Sequence, residues 1–170
     1  MRSADLASDT AGKIGVIADL LNYEESRLGK KYEYVLDLDL TSPLRTISDL
    51  LKGFDLLKKS EEALNIFSVS KAHRNPYFNM VELNDLGFAQ LVKSRRENTF
   101  SRQAAPIVYD MNASFYIYKS RFFELGYTTA ITPKSLLFEM DHICFDLDEP
   151  LDFEFLSFLL ENNKLPFELW

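Results

Sequence analysis

The sequence predicts an α/β fold with a mostly parallel sheet flanked by helices. Three observations carry that expectation. The apolar run Tyr32–Leu40 ends in Thr41-Ser42-Pro43-Leu44-Arg45, as a buried strand delivering a polar loop to a sheet edge would. A helical pattern follows, and then a second apolar run, Leu64–Ser70. A strand, a helix and a strand in that order imply a right-handed parallel crossover. The chain has 170 residues, 46% of them apolar, which suits one domain with a real core.

The elements follow in order. Thr10 to Arg27 reads as an amphipathic helix, because Ile14, Ile17, Leu20 and Leu21 recur at helical spacing and Asp9 or Thr10 can cap it. Gly29-Lys30-Lys31 ends it, and the strand Tyr32–Leu40 follows. Thr46 or Ser48 can cap a second helix carrying Ile47, Leu50, Leu51, Phe54 and Leu57, with Lys58-Lys59 suited to its C-terminal end. Pro76 to Val92 holds two short apolar runs, Tyr77–Leu83 and Gly87–Val92, around Asn84-Asp85, which predicts a hairpin. A charged loop, Lys93–Asn98, comes next. Ile107–Tyr118 returns to strand character, and Ser120–Leu125 predicts a short helix stopped by Gly126. Ser135–Glu139 and Ile143–Phe145 are short strand candidates, and Pro150 suits the first turn of a last helix through Leu160. No repeat or linker divides residues 1–170, so a single domain with an inserted hairpin is expected.

Charge and composition narrow the function. A net charge of −7 without a basic stripe argues against nucleic acid as a partner. The single Cys144 excludes an internal disulfide and a cysteine metal cluster. No apolar stretch is long enough to span a membrane, and the start lacks the apolar run of a signal peptide. A cytoplasmic protein is the default expectation.

Two pairs of acids stand two residues apart. Asp146 and Asp148 would share a face if they lie on a strand. Two close carboxylates repel unless a proton or a cation lies between them, and Mg²⁺ suits such a pair. Equally, Asp146 could cap a turn and Asp148 the helix after Pro150. Asp37 and Asp39 form the second pair. An apolar strand followed by Asp-x-Asp-x-Thr resembles the first motif of haloacid-dehalogenase-type phosphatases, in which the first carboxylate attacks phosphorus. Asp37 as a polar residue at the sheet surface is the alternative. In Thr41–Thr46, hydroxyls, backbone amides and Arg45 converge before a helix N-terminus, a combination able to hold phosphate or a polar sugar. Arg102-Gln103 before Pro106 can present a bidentate Arg to a carboxylate or phosphate. Asn112 and Tyr116, four apart on a predicted strand, share a face. His73 and His142 show no metal spacing and receive no catalytic role.

Taken in order, four stretches resemble the acylneuraminate cytidylyltransferases, also called CMP-sialic acid synthetases. They are Arg2–Ala11, Thr41–Thr46, Arg102-Gln103 through Pro106, Tyr109, Asn112-Ala113 and Tyr116, and Asp146-Leu147-Asp148 with Asp152. The resemblance implies a nucleotide-diphospho-sugar transferase-like fold and a homodimer joined by an extension. It implies transfer of CMP from CTP to the anomeric hydroxyl of a nonulosonic acid, with release of pyrophosphate. By that resemblance Asp146 and Asp148 would hold Mg²⁺ and serve catalysis, Arg102 would pair with the sugar carboxylate, Asn112 and Tyr116 would line the sugar pocket, and Arg2 would lie near the phosphates. Asp39, Thr41, Ser42, Arg45 and Gln103 would complete the substrate side, and residues 75–104 would form the dimerisation hairpin and loop.

The chain departs from the family pattern at three places. The family opens on a strand and a loop rich in Gly, Arg and Lys that cradles the CTP phosphates. This chain would start inside that fold, which implies an incomplete N-terminus and a chain inactive, or nearly so, by itself. The family's Gln-Pro before Thr-Ser-Pro-Leu-Arg is Asp39-Leu40 here, and an ionised Asp only accepts hydrogen bonds where Gln also donates. The Arg often found two before the Asn is Asp110. These departures suggest a different sugar, and Asn75–Met80 resembles the bacterial legionaminic or pseudaminic acid branch. The Asp37 phosphatase and a non-catalytic dimeric remnant remain the alternatives.

Overall fold

The computed structural model describes residues 12–93 and 105–169. They fall into two units, one built from the residues up to Val69 with those from Asn112 onward, the other from Ser70–Met111.

In the first unit a four-stranded sheet has the order β1-β5-β2-β6, where β1 is Tyr34–Leu38, β2 Asn65–Lys71, β5 Tyr109–Lys119 and β6 Ser135–Glu139. β2 and β6 run parallel, in the register Asn65 to Ser135 and Val69 to Glu139. β1 and β5 run antiparallel, with Asp37 opposite Tyr116. Lys119 N–H donates to Leu64 O at 2.9 Å and Phe115 N–H to Ser68 Oγ at 3.0 Å, so β5 also opposes β2. The sheet is therefore mixed. The expected strand–helix–strand crossover from β1 to β2 is present, but β5 is inserted between them. Periodicity within one strand carries no information about which strand lies beside it.

The helices cover both faces. α1, Lys13–Leu28, ends on Gly29, whose φ of +60° is the left-handed C-cap that glycine adopts without penalty. It begins later than expected: Gly12 stands at the N-cap with no side-chain cap bond, and Asp9 and Thr10 lie outside the described residues. Its Ile14 and Ile17 pack with Leu64, Tyr118, Phe122, Val35 and Tyr116. α2, Ile47–Lys59, is capped by Thr46 rather than Ser48, in a full capping box with Asp49. Its Leu57, Phe54 and Leu50 pack on the opposite face with Phe115, Ile117, Ile66 and Phe138. The alternation along β5 explains the split, since Phe115 and Ile117 turn to α2 while Tyr116 and Tyr118 turn to α1. α3, Ser120–Glu124, is stopped before Gly126 at φ +72°. α4, Pro150–Glu161, has Pro at its first turn as expected. Ile143–Phe145, expected as a strand, is irregular.

In the second unit β3, Val81–Leu83, pairs antiparallel with β4, Ala89–Leu91, which is the hairpin the Asn84-Asp85 turn signal predicts. Asn84 Oδ1 accepts from the N–H groups of Leu86 and Phe88 at 3.0 and 2.9 Å, and Gly87 supplies the positive φ of +80°. Val81, Leu83, Leu86 and Phe88 are exposed.

Candidate active site

The site forms in the first unit, where the chain leaves β1 and enters β5. Alternation along β1 sends Tyr34 to the α2 side, where it meets Phe54 edge-on, and Val35 to the α1 side. Asp37 and Asp39 continue on the side of Val35. There they meet Lys13, at the start of α1. Its Nζ lies 2.9 Å from Asp37 Oδ2 and 3.1 Å from Asp39 Oδ2, and 4.8 Å from the centre of the Tyr116 ring. Burial lowers the Lys13 pKa, but bonds and charge from Asp37 and Asp39 outweigh it and hold the ammonium above its ordinary value. For Asp39, burial raises the pKa. The Thr41 N–H, Lys13 and the Thr41 hydroxyl overcome that and hold it lower than an ordinary Asp.

The Thr41–Thr46 turn is fastened at both ends. Asp39 Oδ1 accepts the N–H and the hydroxyl of Thr41 at 3.1 and 2.9 Å. Ser42, fully buried, donates to Asn112 O at 2.6 Å. Arg45 Nη1 donates to three backbone carbonyls, those of Asp39, Ser42 and Ser114, at 3.0, 2.7 and 3.0 Å. One guanidinium nitrogen thus closes the loop onto β5. The sequence reading gave Arg45 a ligand-facing role. The geometry gives that nitrogen an internal one.

Asn112 is buried and Tyr116 half-buried on β5. Their four-residue spacing does not place them on one face by alternation, because Ala113 between them has φ +53°. That left-handed conformation is costly for a residue with a Cβ. Asn112 Oδ1 accepts the Ser114 N–H at 3.3 Å across it, and the Ser42 bond holds the Asn112 carbonyl. Strained backbone therefore lies where the Thr41–Arg45 loop meets the strand.

Asp146 and Asp148 lie on the irregular segment before α4, not on a strand. Leu147 N–H donates to Thr41 O at 2.7 Å, which draws the pair to the same loop. The turn-capping alternative does not describe them. Glu149 is the N-cap of α4, and Asp152 accepts the N–H groups of Asp148 and Glu149 at 3.1 and 2.8 Å. Asp146 Oδ1 is buried without a hydrogen-bond partner. Burial is the main cause that raises the Asp146 pKa. The nearby Ser42 hydroxyl lowers it, and the charges of Asp148 and Asp39 raise it further. A half-buried carboxylate with an orphaned oxygen and acids around it is what a hard cation satisfies. Among the described residues no group of three or more His, Cys, Asp or Glu is arranged around a metal position. The pair by itself offers two carboxylates, the small all-oxygen donor set that Mg²⁺ takes together with retained waters.

Arg2, Arg102 and Gln103 lie outside the described residues. Sequence reasoning missed Lys13 and Cys144. Lys13 follows Gly12 at the end of an apolar stripe, and no short motif marks it. Cys144 lies 3.7 Å from the Ser42 hydroxyl, and burial is the main cause that raises its thiol pKa. It packs behind the loop.

No family model matches the chain. Two curated proteins do. It is 39% identical over 165 residues to post-translational flagellin modification protein B of Campylobacter coli. It is 37% identical over 165 residues to CMP-N,N'-diacetyllegionaminic acid synthase of Campylobacter jejuni subsp. jejuni serotype O:2. Each match covers 96% of this chain and 68% of the relative.

The chain belongs to the acylneuraminate cytidylyltransferase family.

Membership in this cytidylyltransferase family removes the phosphatase reading of Asp37, whose carboxylate is held by Lys13. It also gives the Asp39-Leu40 departure a structural answer. Asp39 only accepts, but Lys13 brings a donor to its side. Among the described residues of this family member, no helix is long and apolar enough to cross a membrane.

Proposed function

We propose that this cytidylyltransferase-family chain serves CMP transfer from CTP to a diacylated nonulosonic acid of the legionaminic type, with pyrophosphate as the other product. The observation that carries the reading is the buried, unpartnered Asp146 Oδ1 beside Asp148, tied through Leu147 to the Thr41 loop. The name of the Campylobacter jejuni relative supports the substrate class. Asp146 and Asp148 would hold Mg²⁺, which when bound supplies charge neutralisation for phosphate oxygens. Lys13, Asp39 and Tyr116 face the sugar, and Ser42 and Arg45 fix the loop. Asn112 holds the strained turn at Ala113 and places the β5 backbone against that loop. The exposed apolar residues of the hairpin would meet a second copy in a homodimer.

The experiment is a titration of the chain with Mn²⁺ as a paramagnetic stand-in for Mg²⁺, followed by water proton relaxation. Wild type should bind one ion in this site. Asp146→Asn and Asp148→Asn should each weaken it about tenfold or more, because each removes one of two charged ligands. Equal Mn²⁺ affinity in wild type and both variants would overturn the assignment. Calorimetry with a diacylated nonulosonic acid, in the presence of Mg²⁺, should show binding.

A further inference from the structure

The Lys13–Asp39 pair has more bonding capacity than the protein uses. Asp39 Oδ1 is taken twice by Thr41, while Oδ2 has the Lys13 ammonium at 3.1 Å. A carboxylate oxygen accepts about two hydrogen bonds, so Oδ2 retains an acceptor position. The Lys13 ammonium has three donors in all. One donates to Asp39 Oδ2. Asp37 Oδ2 is ion-paired to the ammonium at 2.9 Å without an aligned hydrogen bond. The Lys13 side chain is 46% exposed and that of Asp39 28% exposed, so this donor–acceptor edge faces solvent. The Tyr116 ring under the ammonium, itself stacked parallel to Tyr118, keeps Lys13 from swinging away.

An ammonium and a carboxylate oxygen about 3 Å apart form a fork with a specific complement. A hydroxyl placed over it donates its proton to Oδ2 and accepts one from Nζ, with both bonds assisted by charge. A trans secondary amide, as in an N-acyl group, cannot do this with one group, because its N–H and C=O point in opposite directions. A carboxylate gains from Nζ but is repelled by Asp39. A hydroxyl is therefore the chemical class that the fork selects.

We propose that Lys13 and Asp39 together read one hydroxyl of the sugar acid, and that Lys13 is a specificity-determining residue of this site. The inference rests on the nonulosonic acid reading above and adds to it a subsite and a residue. Lys13 also offsets a carboxylate that would otherwise repel an anionic sugar. A site built to bond a hydroxyl rejects the analogue that lacks it, because its polar groups are then left unpaired.

The test compares calorimetric affinities of a diacylated nonulosonic acid and its monodeoxy analogues, each lacking one hydroxyl other than the anomeric one. Wild type should bind one analogue about tenfold or more weakly than the parent sugar. That ratio should fall to about one in Lys13→Met and in Asp39→Ala, and Lys13→Arg should restore most of it. Overall weakening of all sugars in Lys13→Met is expected from the uncovered Asp39 charge, so the ratio is the readout. Wild-type far-UV circular dichroism and melting temperature confirm that each variant is folded. An unchanged ratio in folded Lys13→Met, or no deoxy analogue that wild type discriminates, would overturn the fork. Failure of wild type to bind any nonulosonic acid would instead overturn the sugar-acid reading, and the fork with it.

Discussion

Gly53 lies in the middle of α2, where it faces Phe115, and Gly53→Ala should destabilise the protein although alanine is the better helix former. A Cβ at this position would lie 2.9 Å from Phe115 Cε2 and 3.0 Å from Cζ, with Ile117 Cδ1 at 3.8 Å. Carbon atoms in good contact are roughly 3.5–4.0 Å apart, so the ring or the helix must give by more than half an ångström. The ring has little freedom: Phe115 is fully buried and packs 5.6 Å from the Phe138 ring centre. Overpacking costs about 1–3 kcal/mol, and a contact below 3.0 Å with a buried ring puts this case in the upper part of that range. Replacing Gly with Ala in a helix interior returns about 1 kcal/mol. The net expectation is a loss of about 1–2 kcal/mol, seen as a lower urea midpoint at unchanged slope. The Phe115→Leu background removes the two close ring atoms, and there Gly53→Ala should be neutral or stabilising. A gain of about 1 kcal/mol from Gly53→Ala in the wild-type background would refute the reasoning, because propensity alone would then decide. The site would register the same strain. Thr46, the end of the Thr41–Thr46 turn, caps α2, so a helix lifted from β5 moves the loop that holds Ser42 and Arg45.

His142 and Asp49 give a pH-dependent prediction. His142 Nε2 lies 2.9 Å from Asp49 Oδ2 and Nδ1 lies 3.0 Å from Ile143 O, while the ring stacks on Phe167 at 3.8 Å. Burial raises the Asp49 pKa, but the bonds from His142 and from the Thr46 hydroxyl and N–H outweigh it and hold it below the ordinary value of 3.8. A depressed carboxylate contributes stability that is present above its unfolded pKa and lost as pH falls through the folded one. His142→Ala should therefore cost about 1–3 kcal/mol near neutral pH and a smaller amount below about pH 3, measured by urea denaturation across pH. A cost that is constant from neutral pH to pH 3 would sink this account. For the hairpin, Leu83→Asp with Phe88→Asp should shift a dimer to monomer in sedimentation equilibrium. The same dimer in both proteins would remove the hairpin from the interface.

Much of the local structure was legible because it is written in short-range physics. The Thr46 cap with Asp49 three residues on, Gly126 after α3, Pro150 at the start of α4 and the Asn84 turn each depend on a few neighbours. Burial along β5 followed from alternation for Phe115 and Ile117, and for Tyr116 and Tyr118. The site was legible in part. Residue types and order picked out Thr41–Arg45, Asn112, Tyr116 and the Asp146/Asp148 pair, but their roles rested on assumptions about local geometry. Ala113 breaks the alternation that would have joined Asn112 to Tyr116. Asp146 and Asp148 sit on an irregular segment, where strand periodicity does not apply.

The sequence by itself determined the helices, most strands, the hairpin and the family, since each rests on propensity, capping, periodicity or a motif read along the chain. Only the tertiary structure decided that β5 enters between β1 and β2, and only it gave Arg45 Nη1 to three carbonyls. It alone set Lys13 between Asp37 and Asp39. Apart from the Arg45 bonds to Asp39 O and Ser42 O, those outcomes join groups far apart in the chain, such as Lys13 with Asp37 and Ser42 with Asn112. No local signal specifies such pairs. They arise when packing of Ile14 and Ile17 on one sheet face, and of Leu57 on the other, fixes where each helix begins.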